Sequence, residues 1–132
     1  MDVTTALPKV PTQNLHRKPR AEFGRVWAEA EQRLTEVAPT EYYVVGVVIT
    51  FRWVARQPRR SPVTDRIIGP EPENLDAEYM AALRASHDPQ LHPRRAAKAR
   101  GAAAVLGWLG HGGPEPLAGV PLQRKNPTQR HG

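Results

Sequence analysis

The sequence predicts an all-α domain of about four helices, and two observations support this prediction. Apolar residues recur at steps of three and four positions in several segments, which is the spacing of a helix that buries one side. Prolines and glycines separate these segments, where one helix ends and the next can begin. We expect the helical domain to span residues 20–113, between a disordered arm at 1–19 and a disordered basic tail at 114–132.

The first helix is predicted to follow Pro19 and to run to about Val37, before Pro39 ends it. The second is predicted from Glu41 to about Arg56, with Thr40 as its cap. The first helix has a single apolar stripe, which consists of Phe23, Val26, Trp27, Ala30, Leu34 and Val37.

The valine-rich second segment is ambiguous on propensity alone. Its β-branched residues individually favour a strand. It nevertheless resembles the alanine-rich segment Ala102 to Leu109, which favours helix. If the two segments are copies of one unit, both must be helical. A helix that is apolar around most of its circumference belongs in the centre of a bundle.

Two further helices are predicted in the second half of the chain. The third begins near Asn74 or Asp76, either of which can cap it, and ends at Asp88. The fourth begins at Pro93, where the missing N–H is harmless, and runs to about Leu109.

Two stretches of the chain are similar, 55 positions apart. In each, a tryptophan follows a glycine by seven positions, Gly46 to Trp53 and Gly101 to Trp108, and a Pro-apolar pair comes later. The similarity indicates that one supersecondary unit occurs twice, as a pseudo-repeat. The alternative is that two Ala/Val-rich helices each end on a tryptophan by chance.

The formal net charge of +6 is unevenly placed. Residues 1–78 hold eleven Lys/Arg and eleven Asp/Glu, whereas residues 79–132 hold eight Lys/Arg and two acidic residues. Such an asymmetry is typical of a polyanion-binding end. Fifteen of the nineteen basic residues are arginine, which favours bidentate contact with phosphate. An arginine-rich chain is also what a GC-rich genome produces.

The start of the fourth helix is the main candidate for nucleic-acid contact. Its basic residues could rest against phosphates while the apolar second half of the helix anchors in the bundle. Basic residues of the tail would add reach. The alternative is a solvated helix start whose cations serve solubility. The candidate residues are Arg94, Arg95, Lys98 and Arg100 on the helix, and Arg124 and Lys125 in the tail.

A second basic group lies beside the first repeat tryptophan and consists of Arg52, Arg56, Arg59 and Arg60. Basic loops beside aromatic residues can hold single strands through charge and stacking. Both repeat tryptophans have apolar neighbours at helical spacing, however. We therefore expect them to lie in the core and not to serve as stacking platforms.

Several classes of function are disfavoured. The chain has no cysteine, which excludes disulfides and thiol catalysis. Its two serines lack a G-x-S-x-G context, and no paired carboxylates suggest acid–base catalysis. His87 and His92 flank a helix break and have no obvious third partner, so no metal or cofactor is expected. Because no catalytic constellation is recognisable, we expect that the protein is not an enzyme. Neither a signal peptide nor a membrane span is recognisable, which favours a cytoplasmic protein.

The pattern from Tyr42 through Gly46 and Trp53 to Pro62-Val-Thr-Asp-Arg66 resembles one in small basic proteins of unassigned role. These proteins come from actinobacterial plasmids, integrative elements and phages. The resemblance implies a role in conjugal transfer, plasmid spread or control of gene expression, and brings no catalytic residues with it. We expect an accessory protein that binds DNA or a DNA-handling partner. The alternative is a protein–protein adaptor or phage structural subunit without nucleic-acid contact.

Overall fold

The computed structural model describes residues 2–37, 40–55 and 60–120. All regular secondary structure in these ranges is helical, which confirms the predicted all-α class. Short 3-10 turns cover Leu7–Lys9 and Thr12–Leu15. The α-helices are α1 (Val3–Ala6), α2 (Arg20–Glu36), α3 (Tyr42–Val54), α4 (Pro72–Ser86) and α5 (Pro93–Gly110).

The valine-rich segment forms α3, as predicted, in spite of its β-branched residues. Val44, Val47 and Val48 are each at most 2% exposed, so helix packing outweighs the intrinsic preference for a strand. The predicted cap does not form. Glu41 occupies the N-cap position of α3, and no side chain makes a capping hydrogen bond there.

Helix α5 lies between α3 and α4. Helices α3 and α5 run in the same direction, since Arg94 lies over Tyr42 near their starts and Phe51 contacts Trp108 near their ends. Helix α4 returns antiparallel to α5. It begins at Pro72, slightly before the predicted caps, and Asn74 donates its side-chain N–H to the carbonyl of Gly69 at 2.9 Å.

The core is organised around aromatic rings. Phe23 of α2 contacts Trp27 and Phe51 edge-on, with ring centroids 5.9 and 5.3 Å apart. Phe51 in turn meets Trp108 at 6.0 Å. Trp53 is 1% exposed and donates its indole N–H to the carbonyl of Ile68. Both repeat tryptophans are therefore core residues, which confirms that prediction.

The N-terminal segment is not the disordered arm that its composition predicts. Residues 2–19 form α1 and the two 3-10 turns, and they pack on the helical domain. Val10 and Leu15 are each 2% exposed, and the buried Asn14 donates to the carbonyl of Val54 at 2.8 Å. A few apolar anchors and one buried amide hold the segment, although it has no helical periodicity.

The C-terminal prediction of disorder is also corrected where the structure describes that segment. Residues 114–120 fold back over α2 and α3, with Leu117 buried against the core. The Tyr43 hydroxyl donates to the carbonyl of Pro116, and Arg25 pairs with Glu115. The remainder of the predicted tail, residues 121–132, lies outside the described residues.

Within the described ranges, no helix has the length and apolar character needed to cross a membrane.

Candidate nucleic-acid interface

The start of α5 is held by two residues that precede its basic cluster. His92 accepts a hydrogen bond from the backbone N–H of Arg94 on its Nδ1 atom, at 3.1 Å. Pro93 occupies the first helical position, where the missing N–H leaves no bond unmade. This capping secures the helix start although the cations of its first turns oppose the helix dipole.

Three of the four predicted basic residues of α5 share one side of the helix. At about 100° per residue, Arg94, Arg95 and Lys98 fall within an arc of roughly 100°, while Arg100 lies more than about 100° away from each end of that arc. The guanidinium of Arg94 lies over the ring of Tyr42, at 5.5 Å from its centroid. The side chain of Arg94 is thus oriented by a cation–π contact.

These cations have no carboxylate partner. Within residues 2–37, 40–55 and 60–120, none of the four basic residues of α5 forms an ion pair. Elsewhere in the molecule cations are paired, as Arg25 is with Glu115 and Arg33 with Glu29. The uncompensated positive charge of α5 is therefore available to an external anion.

Arg95 and Lys98 line a groove with a volume of about 400 Å³. It lies between the first half of α5, the end of α4 and the loop 60–66. The polar residues of its wall also include Asp65, which is acidic, and Ser61, which bears a hydroxyl. The rest of the lining is aliphatic and consists of Pro62, Val63, Ala85, Leu91 and Ala99.

A buried glutamate fixes the loop that forms one wall of the groove. Glu78 of α4 is wholly buried, and its carboxylate accepts the backbone N–H groups of Val63 and Thr64 at 2.9 and 3.1 Å. The Thr64 hydroxyl donates to the same carboxylate. The backbone N–H of Ser61 donates to the carbonyl of Arg66 at 2.8 Å, which closes the loop further.

Sequence reasoning did not single out Glu78, although a signal was present. The residue lies three positions after Leu75 and one before Tyr79, which is within the apolar stripe of its helix. A charged residue at such a position must either reach solvent, as it can near a helix end, or bond to polar partners inside the protein. In this fold the partners are the N–H groups of the loop.

The second predicted basic group is not a single surface. Arg52 makes a bidentate pair with Glu31, at 2.8 and 2.7 Å, and the indole of Trp27 donates to the same carboxylate. The hydrogen bonds to Glu31 raise the pKa of Arg52. Because its guanidinium is held by Glu31, Arg52 is not part of an exposed basic surface. Arg60 is exposed and donates to the carbonyl of Asp65 at 3.1 Å, beside the groove.

Four of the predicted contact residues lie outside the described residues. They are Arg56 and Arg59 in the second basic group, and Arg124 and Lys125 in the tail.

A histidine-containing cluster at the end of α5 was not predicted. His111 stacks on Tyr79 with ring centroids 4.3 Å apart and lies 3.2 Å from the carboxylate of Asp76. His16 is close by, and partial burial lowers its pKa. Its φ of 54° lies in the left-handed region that favours glycine.

The other two histidines of the described residues, His87 and His92, lie apart from this cluster. His87 contacts the carbonyl of Leu83 through Nδ1, while His92 caps α5. Among the residues that the structure describes, no group of three or more His, Asp or Glu side chains is arranged to hold a metal ion.

No protein-family model, curated protein or solved structure matches this chain.

Proposed function

We propose that this protein is a small DNA-binding accessory protein that contacts the phosphate backbone without reading sequence. One observation carries the proposal. Arg94, Arg95 and Lys98 lie on one side of α5, beside a groove, and none of them is neutralised by a carboxylate in the described part of the chain.

The chemistry of these side chains suits phosphate. A guanidinium can donate two parallel hydrogen bonds to one phosphate, whereas the ammonium of Lys98 acts as a point charge. Contacts of this kind give affinity through counterion release and carry no base information. Arg60, which is exposed beside the groove and next to Asp65, could add a further contact.

The biological setting is proposed from the resemblance of residues 42–66 to proteins of plasmids, integrative elements and phages. In that setting a non-specific DNA-binding protein would serve plasmid transfer or spread, in the cytoplasm. We also propose that Gly46–Trp53 and Gly101–Trp108 are copies of one unit. The backbone contacts that these glycines make between α3 and α5 support this relationship.

The test is DNA binding measured as a function of salt concentration. The variant Arg95→Gln with Lys98→Gln should weaken binding and flatten the log–log salt slope by about 0.9 for each phosphate that the protein no longer neutralises. The control Arg17→Gln with Arg100→Gln removes the same charge from exposed positions outside the basic arc. It should bind more tightly than the first variant.

Two outcomes would overturn the proposal. One is that the wild-type protein does not bind DNA even at low salt. The other is that the two double variants weaken binding equally, in which case only net charge matters. A protein–protein adaptor or phage structural subunit would then become the better interpretation.

A further inference from the structure

The groove beside α5 has a shape that a duplex backbone cannot fill. The phosphates of a DNA duplex lie on a stiff, convex surface, so they can reach only cations at the rim of a concavity. A single strand is flexible, and its backbone can turn one nucleotide into a cleft. The volume of about 400 Å³ falls within the range of sites for small ligands.

We propose that this groove holds one nucleotide unit of single-stranded DNA, with its phosphodiester between Arg95 and Lys98. The inference rests on the proposed function, because it specifies which form of DNA the same basic face prefers. The basic rim would bind any DNA backbone, and the groove would add affinity for a single strand alone.

The charges of the groove match a phosphodiester. Arg95 and Lys98 contribute two positive charges, and the carboxylate of Asp65 lies 4.0 Å from the guanidinium of Arg60, so the groove has a surplus of positive charge. A phosphodiester carries a single negative charge. The two cations are three positions apart on a helix, so their side chains are neighbours that can reach the same phosphate.

The remainder of the groove suits the body of a nucleotide. Pro62, Val63 and Leu91 offer aliphatic surface, and Asp65 can accept a hydrogen bond from a base N–H. No aromatic side chain is among the described residues that line the groove, so the site provides apolar contact without ring stacking.

The groove is preorganised. Glu78 holds Val63 and Thr64 through their backbone N–H groups, and the hydrogen bonds between Ser61 and Arg66 close the loop. A wall that is already ordered in the free protein loses little conformational entropy when a ligand binds. The site therefore does not depend on folding of the loop around the nucleotide.

A substitution that fills the groove without changing charge tests the inference. Ala85 lines the groove from the end of α4 and is only half-buried, so Ala85→Leu should fold. The matched control is Ala77→Leu, an exposed position on the same helix that is not part of the groove. Fluorescence anisotropy would compare an oligothymidylate with a duplex of equal length.

We expect Ala85→Leu to weaken binding of the single strand at least about tenfold and to leave duplex binding unchanged. Ala77→Leu should change neither. If Ala85→Leu binds the single strand as tightly as Ala77→Leu does, the groove inference is overturned. The proposed function would still stand in that case, provided that Arg95→Gln with Lys98→Gln weakens duplex binding.

Amide chemical shifts of the wild-type protein give a second readout that needs no variant. Titration with the oligothymidylate should move the signals of Val63, Asp65 and Leu91, which line the groove on the side away from the basic arc. If only signals of α5 move, the strand lies on the rim, and the inference is likewise overturned.

Discussion

Gly46 and Gly101 lie where α3 and α5 cross. Each glycine packs against the backbone of the residue that lies three positions before the other glycine in the chain. A Cβ atom added at Gly46 would overlap the carbonyl of Lys98, and one added at Gly101 would overlap the carbonyl of Tyr43. The two helices can approach this closely only because neither residue has a side chain. Their crossing also sets the position of Lys98, and therefore one side of the groove.

Replacement of either crossing glycine by alanine should be strongly destabilising. The obstructing atoms belong to helix backbone and cannot rotate away, so the helices must separate, at a cost of about 1–3 kcal/mol. Gly107 provides the control. A Cβ there would lie 3.4 Å from the ring of Tyr79, which is ordinary contact, and Gly107→Ala should gain up to about 1 kcal/mol in helix propensity.

Urea unfolding of the three variants would measure these differences. If Gly46→Ala is as stable as Gly107→Ala, the close crossing of α3 and α5 is contradicted.

The N-terminal segment should contribute substantially to stability. Leu15 is 2% exposed within the core, so Leu15→Ala should lower the free energy of unfolding by about 3 kcal/mol. Gln13→Ala changes an exposed residue of the same 3-10 turn and should stay within about 0.5 kcal/mol. If thermal unfolding does not distinguish the two variants, the segment is not packed on the domain as described.

Removal of one partner of the Glu31–Arg52 pair should destabilise the protein more than replacement of both. Arg52→Met removes the bidentate guanidinium partner of the buried carboxylate of Glu31, and we expect a loss of about 3 kcal/mol. In the double variant Glu31→Gln with Arg52→Met the negative charge is removed together with the guanidinium, and the amide oxygen of the new side chain can still accept from Trp27. The double variant should be more stable than the single one in chemical denaturation. The opposite order would show that the pair itself provides the stability.

His16 should make the protein less stable in mild acid. Burial lowers its pKa, an effect reinforced by the charge of His111 and opposed by that of Asp76. The unfolded chain, where the pKa is about 6.5, then binds more protons than the folded one just below that pH. Stability contributed by neutral His16 is therefore lost as pH falls through about 6.5.

Melting temperatures at about pH 7 and about pH 5 would test this expectation. His16→Gln keeps a side chain at the same left-handed backbone position but cannot titrate. The decrease on acidification should be smaller in that variant than in the wild-type protein. An equal decrease in both would assign the effect to other groups.

The helical class and most helix positions could be predicted from residue order because both depend on local properties. Periodic apolar residues in α2 report which face is buried, and Pro93 marks the start of α5 irrespective of what packs around it. The cluster of cations on α5 was also visible, since neighbours on a helix are set by spacing alone.

Contacts between distant segments lay beyond such reasoning. Asn14 reaches the carbonyl of Val54, Glu31 neutralises Arg52, and Glu78 holds the loop at Val63. Each of these polar groups bonds to a partner more than a dozen positions away in the chain, and such a pairing cannot be read from the order of residues. The groove arises in the same way, because its walls come from two helices and a loop that meet only when the chain is folded. Periodicity reports which side of a helix is buried, but the identity of the partner depends on tertiary packing.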